Sequence, residues 1–288
     1  MSGTLSSPGN VIAVYGRMIK FSHSIFAMPF ALASAVLASR VVPVTWTTIA
    51  LIVVCMVLAR SFAMGVNRIV DRRFDAMNPR TAIREIPSGQ MSVGAATVIT
   101  AAAAVLFVLA TIALNPVCAT LSPVALFVVG GYSYAKRFTA FVHIWLGVAL
   151  GIAPVAAWIA VTGTVSAAAW VLAAAVMTWV AGFDILYSLQ DEEFDRGQGL
   201  RSIPVALGQV GALWVSGGLH VATVALLASL PFLVPLGIAY WVGWALITGV
   251  LVYEHALVKP GDLSRIDKAF FDLNGYVSLV FFAAVLLA

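Results

Sequence analysis

The chain has 288 residues, 62% of them hydrophobic and only 10% charged, with a mean hydropathy of +1.02. Soluble globular domains carry about 25% charged residues, so this composition excludes a water-soluble domain and fits an all-α polytopic membrane protein. The formal charge of +4 calls for no nucleic-acid partner, because basic excess in a membrane protein records loop topology; Cys55 and Cys118 sit in apolar runs and fit neither a disulfide framework nor a zinc site.

Residues 1–16 form a weakly polar start, partly disordered or interfacial, and no cleavable signal is expected because further apolar runs follow the first. Arg17 and Lys20 precede span one, at 21–39. Arg40 and Pro43 separate it from span two, at 45–66, which delivers Asn67. A polar, basic segment follows over 67–91. Spans three and four, at 92–114 and 116–134, meet at Asn115-Pro116, and Lys136 and Arg137 mark the exit. Span five covers 142–162 and turns at Gly163-Thr164 into span six, at 166–186. After a polar loop to Gln209, spans seven to nine fall at 210–230, 234–253 and 269–288. Each is near the ~20 residues that cross the hydrocarbon core, giving about nine spans in one membrane domain, 1–288. Pro123, Pro154 and Pro235 are expected inside spans, where neighbouring helices satisfy the freed carbonyls.

Charge orients the chain. Of 16 Lys and Arg residues, only Arg40 falls in a loop on the far side, which puts the polar loops in the cytoplasm, the N-terminus inside and the C-terminus outside a cell inner (plasma) membrane. All 12 acidic residues fall on the cytoplasmic side too. Acidic residues contribute little to orientation, so this points to a working surface.

An internal repeat supports that reading. Asp71-Arg-Arg-Phe-Asp75, then Arg84-x-Ile86-Pro87-x-Gly89-Gln90, parallels Asp191-Glu-Glu-Phe-Asp195, then Arg201-x-Ile203-Pro204 and Gly208-Gln209. The copies end spans two and six, so spans 2–5 (45–162) and 6–9 (166–288) form a parallel repeat that faces two acidic ends toward one cavity. Asn67, Asp71 and Asp75 are spaced i, i+4, i+8; Asp184, Tyr187, Asp191 and Asp195 are spaced i, i+3, i+7, i+11. If the helices continue past the membrane surface, each set lies along one face. Like charges so placed repel unless a cation lies between them. All-oxygen ligands suit a hard cation, and Mg2+ fits because it completes its shell with water and phosphate oxygens. Two such faces imply two metal positions and a ligand as highly charged as a diphosphate. Solvated helix ends are the plain alternative for a single copy; two copies at matched repeat positions argue against it.

Arg68, Arg72, Arg73, Arg80, Arg84 and Arg201 can make bidentate contacts to phosphate, although each also serves topology. Tyr132 and Lys136 lie one turn apart and can converge on one phosphate, or form an aromatic belt with a basic stop. His23, His143, His220 and His255 show no ligand spacing and default to interfacial or packing roles. Asp272 and Asn274 read as interhelical hydrogen-bonding groups.

These residues carry a resemblance. Asn67-x-x-x-Asp71-x-x-x-Asp75, Asp191-x-x-x-Asp195 and Tyr132-x-x-x-Lys136 resemble the motifs of the UbiA superfamily of intramembrane aromatic prenyltransferases, over essentially the full chain. Asn78-Pro-Arg-Thr-Ala and Gly182-Phe-Asp-Ile-Leu-Tyr-Ser-Leu-Gln-Asp191 resemble the branch that includes 4-hydroxybenzoate polyprenyltransferases. Met18–Phe30 and Arg84-Glu-Ile-Pro-Ser-Gly instead resemble a sister group that prenylates 1,4-dihydroxy-6-naphthoate in the futalosine-type menaquinone route. The resemblance implies nine helices around a central cavity, Mg2+ held by the two acidic motifs, and a polyprenyl diphosphate whose tail leaves sideways among the membrane lipids. On that basis Asn67, Asp71, Asp75, Asp191 and Asp195 are expected to hold metal. Arg68, Arg72, Tyr132 and Lys136 are expected on the diphosphate. Arg17, Lys20 or Arg137 would meet the carboxylate of an aromatic hydroxy acid, and Asp184 or Tyr187 would orient its hydroxyl or take a proton. The competing class is a secondary transporter, which calls for acids near span midpoints and paired helix breaks; here the acids cluster at one membrane face beside arginines.

Overall fold

The computed structural model describes residues 8–19, 26–266 and 272–288. In chain order the helices are α1 (Pro8–Met18), α2 (Met28–Ser39), α3 (Trp46–Met77), α4 (Val93–Leu114), α5 (Pro116–Ala135), α6 (Val142–Thr162), α7 (Ala167–Ser188), α8 (Glu192–Gly197), α9 (Ile203–Ser229), α10 (Ile238–Leu257) and α11 (Asn274–Leu287). Among the described residues there is no β-strand.

The sequence starts these helices with side chains that satisfy free N–H groups. Thr45, Ser92, Asn115 and Ser166 each accept from the backbone three residues on, at 2.9–3.1 Å, and Ser202 does so for Val205 at 3.4 Å. Pro116 follows Asn115 at the first helical position, where its missing N–H costs nothing. Gly163 closes α6 at φ 70°, a left-handed conformation that suits glycine.

Six runs are long and apolar enough to cross a membrane: α3, α4, α5, α6, the α7–α8 run to Gly197, and the α9 run to Phe232. α2 and α11 are shorter apolar helices. Burial separates centre from rim. In the α7–α8 run 67% of the apolar window is buried, against 22% in each of α3, α4 and α5, so α7 is the hub and the other three turn much of their surface outward. α7 packs on α6 and α9, α3 on α4 and α5, and α2 on α6 and α11. Its core is aromatic: Trp179 meets Phe30 at 5.1 Å and Phe183 at 5.0 Å between ring centroids.

Polar ties cross this apolar interior. Asn274 on α11 accepts from the Trp179 indole at 2.8 Å and donates to Glu254 on α10 at 3.0 Å, the interhelical role expected of it; Asp272 is exposed instead. At the end away from the acidic motifs, Arg40 donates to the carbonyls of Pro235 at 2.6 Å and Val285 at 3.4 Å.

Four features differ from the sequence expectation. α3 runs unbroken to Met77, well past 66, because nothing from Asn67 to Met77 interrupts a helix. Pro235 lies in the connection before α10, not in a span. After α7 the chain tightens into a 3-10 turn, Leu189–Asp191, before α8, so Asp184, Tyr187, Asp191 and Asp195 do not lie on one continuous α-helical face. Gly208, at φ 68°, breaks α9 after its first residues.

Candidate active site

Two adjoining spaces lie within the helices. One is a polar cleft of about 300 Å³, lined by both acidic motifs, the turn-rich segment after α3, the end of α5 and the start of α6. The other is an apolar cavity of about 550 Å³ between α3, α4, α5, α6 and α7. Arg60, Met64, Tyr132, Leu146 and Leu150 line both, and so form the seam between them.

The cleft brings together most of the residues singled out by spacing. Asn67, Asp71 and Asp75 reach it from α3, and Asp184, Tyr187, Asp191 and Asp195 from α7 and the turn into α8. Arg68, Arg80, Arg84, Tyr132, Lys136 and Arg137 line it too. Their pairing follows a simple rule. Arg137 contacts Asp71 at 3.0 Å and Arg84 contacts Asp75 at 2.7 Å, while Lys136 contacts Asp195 at 2.9 Å and Arg80 forms a bidentate pair with Asp191. Each motif therefore draws one cation from the segment after α3 and one from the end of α5. Neighbours Lys136 and Arg137 reach opposite walls.

Asn67 donates to Asp71 at 2.9 Å and accepts from Arg68 at 3.2 Å. Asn78 donates to Asp191 at 3.2 Å, and Thr81 donates to the carbonyl of Asp75 at 3.1 Å. Burial works against the Arg80 and Lys136 charges, yet the Asp191 and Asp195 carboxylates outweigh it and hold both pKa values above the ordinary range. Among the described residues, Arg68 Nε and Asp75 Oδ2 are buried in the cleft without a hydrogen-bond partner.

Some expectations are redirected. Arg72 does not line the cleft; its guanidinium donates to the Ile69 carbonyl at 2.7 Å on its own helix. Arg73 is exposed. Arg201 lies outside the lining and binds the Phe138 carbonyl at 2.8 Å. Arg17 is exposed near the end of α1, and Lys20 and His23 fall outside the described residues. Arg137 is in the cleft, paired with Asp71 rather than presented alone.

Two residues passed over by spacing stand in the site. His143 was assigned packing by default; it is 1% exposed and its Nδ1 lies 2.7 Å from Asp184 Oδ2. Arg60 is a cation within span two and sits at the seam, with one N–H 3.4 Å from the Ile19 carbonyl. The signal was available: an ionisable residue inside a span is a site candidate by default.

Comparison with known proteins agrees with this architecture. Residues 27–284 match the model of the UbiA prenyltransferase family. The chain is 33% identical over 228 residues to a 4-hydroxybenzoate octaprenyltransferase of Paraburkholderia phytofirmans, covering 78% of each chain. The apo structure of a UbiA homolog from Aeropyrum pernix K1 superposes with a TM-score of 0.84 at 34% identity, over 92% of this chain and 98% of that one. A UbiA homolog from Archaeoglobus fulgidus, solved with DMAPP and Mg2+, shares the fold at 20% identity and a TM-score of 0.76, over 95% of this chain and 98% of its own. With its acidic motifs facing one cleft and a family match over nearly the whole chain, this integral membrane protein belongs to the UbiA prenyltransferase family.

Proposed function

We propose that this enzyme transfers a polyprenyl group from a polyprenyl diphosphate to an aromatic hydroxy acid in quinone biosynthesis, with 4-hydroxybenzoate as acceptor. One observation carries the proposal. A polar cleft holding six cationic side chains and five carboxylates opens through a shared seam into an apolar cavity, the two environments that a charged head and an isoprenoid tail require. The sequence of Met18–Phe30 and of Arg84–Gly89 favours a second acceptor, 1,4-dihydroxy-6-naphthoate, and leaves the reaction type unchanged.

The donor set fits Mg2+. Asn67, Asp71, Asp75, Asp191 and Asp195 offer only oxygens on the acid side, and Asp75 Oδ2 is buried without a partner. Among the described residues no three His, Cys, Asp or Glu side chains form a closed cage. That suits an ion held by one or two carboxylates and completed by water and phosphate oxygens. When bound, Mg2+ would neutralise the diphosphate and make it a better leaving group.

The chain's own residues do the rest. Arg68 presents its free Nε–H to the diphosphate. Arg80, Arg84, Lys136 and Arg137 exchange carboxylate for phosphate oxygens and stabilise the departing charge. Tyr132 stands where head meets tail. The apolar walls keep water from the allylic cation. At the seam, Arg60 is a further cation for the acceptor's carboxylate beside Arg137, while Arg17 is exposed on α1 and Lys20 lies outside the described residues.

The proposal extends to topology: nine spans, halves 45–162 and 166–288 related as a parallel repeat, and a cleft on the cytoplasmic side of the inner membrane with the N-terminus inside and the C-terminus outside. Charge asymmetry supports it. Membranes containing the enzyme, given a polyprenyl diphosphate and both acceptors, should yield one prenylated acid by mass and stop when a chelator removes divalent metal. Ion-driven flux in proteoliposomes without diphosphate release would sink the proposal in favour of a transporter. An impermeant thiol reagent should label Arg73→Cys only from the cytoplasm; labelling from outside would reverse the topology.

A further inference from the structure

Five carboxylates line the cleft, and four of them face a full positive charge: Asp71, Asp75, Asp191 and Asp195. Asp184 differs. Its partner is the imidazole of His143, with Nδ1 at 2.7 Å from Oδ2. Nε2 of the same ring accepts the N–H of Ile203 at 3.4 Å, so the hydrogen-bond network assigns the ring hydrogen to Nδ1 and makes the ring a neutral donor. His143 is 1% exposed at the start of α6 and ties α6 to α7 and to the first residue of α9. Asp184 keeps 21% of its side chain accessible and lines the cleft.

A carboxylate clamped by a cation is a weakened base, whereas a neutral donor orients a carboxylate without cancelling its charge. We propose that Asp184 takes the ring proton of the aromatic acceptor and that His143 is its positioning residue. The inference rests on the prenyl transfer proposed above. A bond forms between C1 of the prenyl chain and the ring carbon beside the hydroxyl, and the C1–O bond breaks with its electron pair leaving on diphosphate. The proton on that ring carbon then passes to Asp184 Oδ1, and the C–H electron pair restores the aromatic ring. No oxidant or reductant is needed. Tyr187 is less suited to this step: its hydroxyl lies 3.4 Å from an Arg80 nitrogen, and a phenol that keeps its own hydrogen is a poor base for a carbon-bound proton.

His143→Leu removes the donor and keeps bulk, and His143→Asn restores an N–H near the Nδ1 position. Leu should lower kcat by about 10- to 100-fold, the range typical of a partner that orients a functional side chain, while KM for the prenyl diphosphate stays near native. Asn should recover most of that loss. A ring-deuterated acceptor should turn over more slowly than the ordinary one, with a larger difference in His143→Leu than in the native enzyme, because proton removal becomes limiting. Asp184→Asn should lose on the order of 10²-fold or more. Native kcat in His143→Leu, or a loss with an unchanged isotope effect, would overturn the inference. If Leu does not fold, the isosteric Asp184→Asn decides, and near-native turnover there has the same force. Absence of any prenylated product from the native enzyme would count against the function itself, not against the choice of base.

Discussion

The two acidic walls of the cleft carry similar residues on different backbones. The α3 wall is one uninterrupted helix, so Asn67, Asp71 and Asp75 stand in register a turn apart. The opposite wall leaves α-helical geometry after Ser188 and tightens before α8, so Asp191 sits in a 3-10 turn and Asp195 in the following short helix. Even so, both walls are neutralised from the same two sources, the segment after α3 and the end of α5. The difference teaches that the two walls match in charge and not in backbone. Under the proposed function, a cleft whose carboxylates already hold counter-ions would accept a polyanion by exchanging partners.

The largest test breaks that equivalence. Asp71→Ala and Asp191→Ala should each lower prenyl transfer by at least about 10³-fold, one carboxylate lost from either wall, with folded protein still present in the membrane. Near-native turnover in either would leave a one-walled metal site. Next comes a cation that none of the four ion pairs uses. Arg68, 4% exposed with an unpartnered Nε, should cost about 10²-fold in kcat/KM on change to Ala, as expected for one lost preorganised donor. A loss confined to the aromatic acceptor's KM would place it elsewhere in the reaction.

Stability should separate the walls more finely. Among the described residues Arg84 is the only side chain hydrogen-bonded to the Asp75 carboxylate, and the Asp75 side chain is 7% exposed. Arg84→Ala should cost about 2 kcal/mol, below the usual figure for a buried pair because Arg84 is itself a quarter exposed. Arg80→Ala leaves Asp191 with Asn78 as a donor and should cost about 1 kcal/mol. Thermal unfolding in detergent reads both. Mg2+ with a prenyl diphosphate should recover more of the Arg84→Ala loss, since it supplies a new cation to Asp75; equal recovery would mean that the walls bind the ligand alike.

The long apolar runs and the spacing of the two acid motifs were legible because each is local: a stretch of hydrophobic residues, or a period along one helix. What spacing does not contain is who faces whom. The arginines near the motifs read as free phosphate ligands, yet Arg80 and Arg84 are counter-ions of acids on opposite walls. The one-face expectation for Asp184 to Asp195 fails at the 3-10 turn, for which Leu189-Gln190-Asp191 carries no glycine or proline signal. His143 was set aside because it lacks ligand spacing, and its partner lies 41 positions away. Arg60 went unmarked inside an apolar run, although a charge there is costly enough to need a reason.

The smallest expected effect is at Arg72, which sequence placed on the diphosphate beside Arg68. The two are four residues apart on α3, so an ideal helix sets them on one face, yet they diverge in surroundings. Arg68 is buried in the lining, whereas Arg72 is only half-buried, folds back onto the Ile69 carbonyl and lies outside the lining. Arg72→Ala should therefore change turnover by no more than about twofold, as for surface substitutions worth within 0.5 kcal/mol. A loss approaching that of Arg68→Ala, with KM for the prenyl diphosphate raised, would mean that the Arg72 side chain swings into the cleft when ligand binds. In that case the α3 wall would supply a phosphate donor of its own, for which the α7–α8 wall has no counterpart at the second position of its motif, where Glu192 stands.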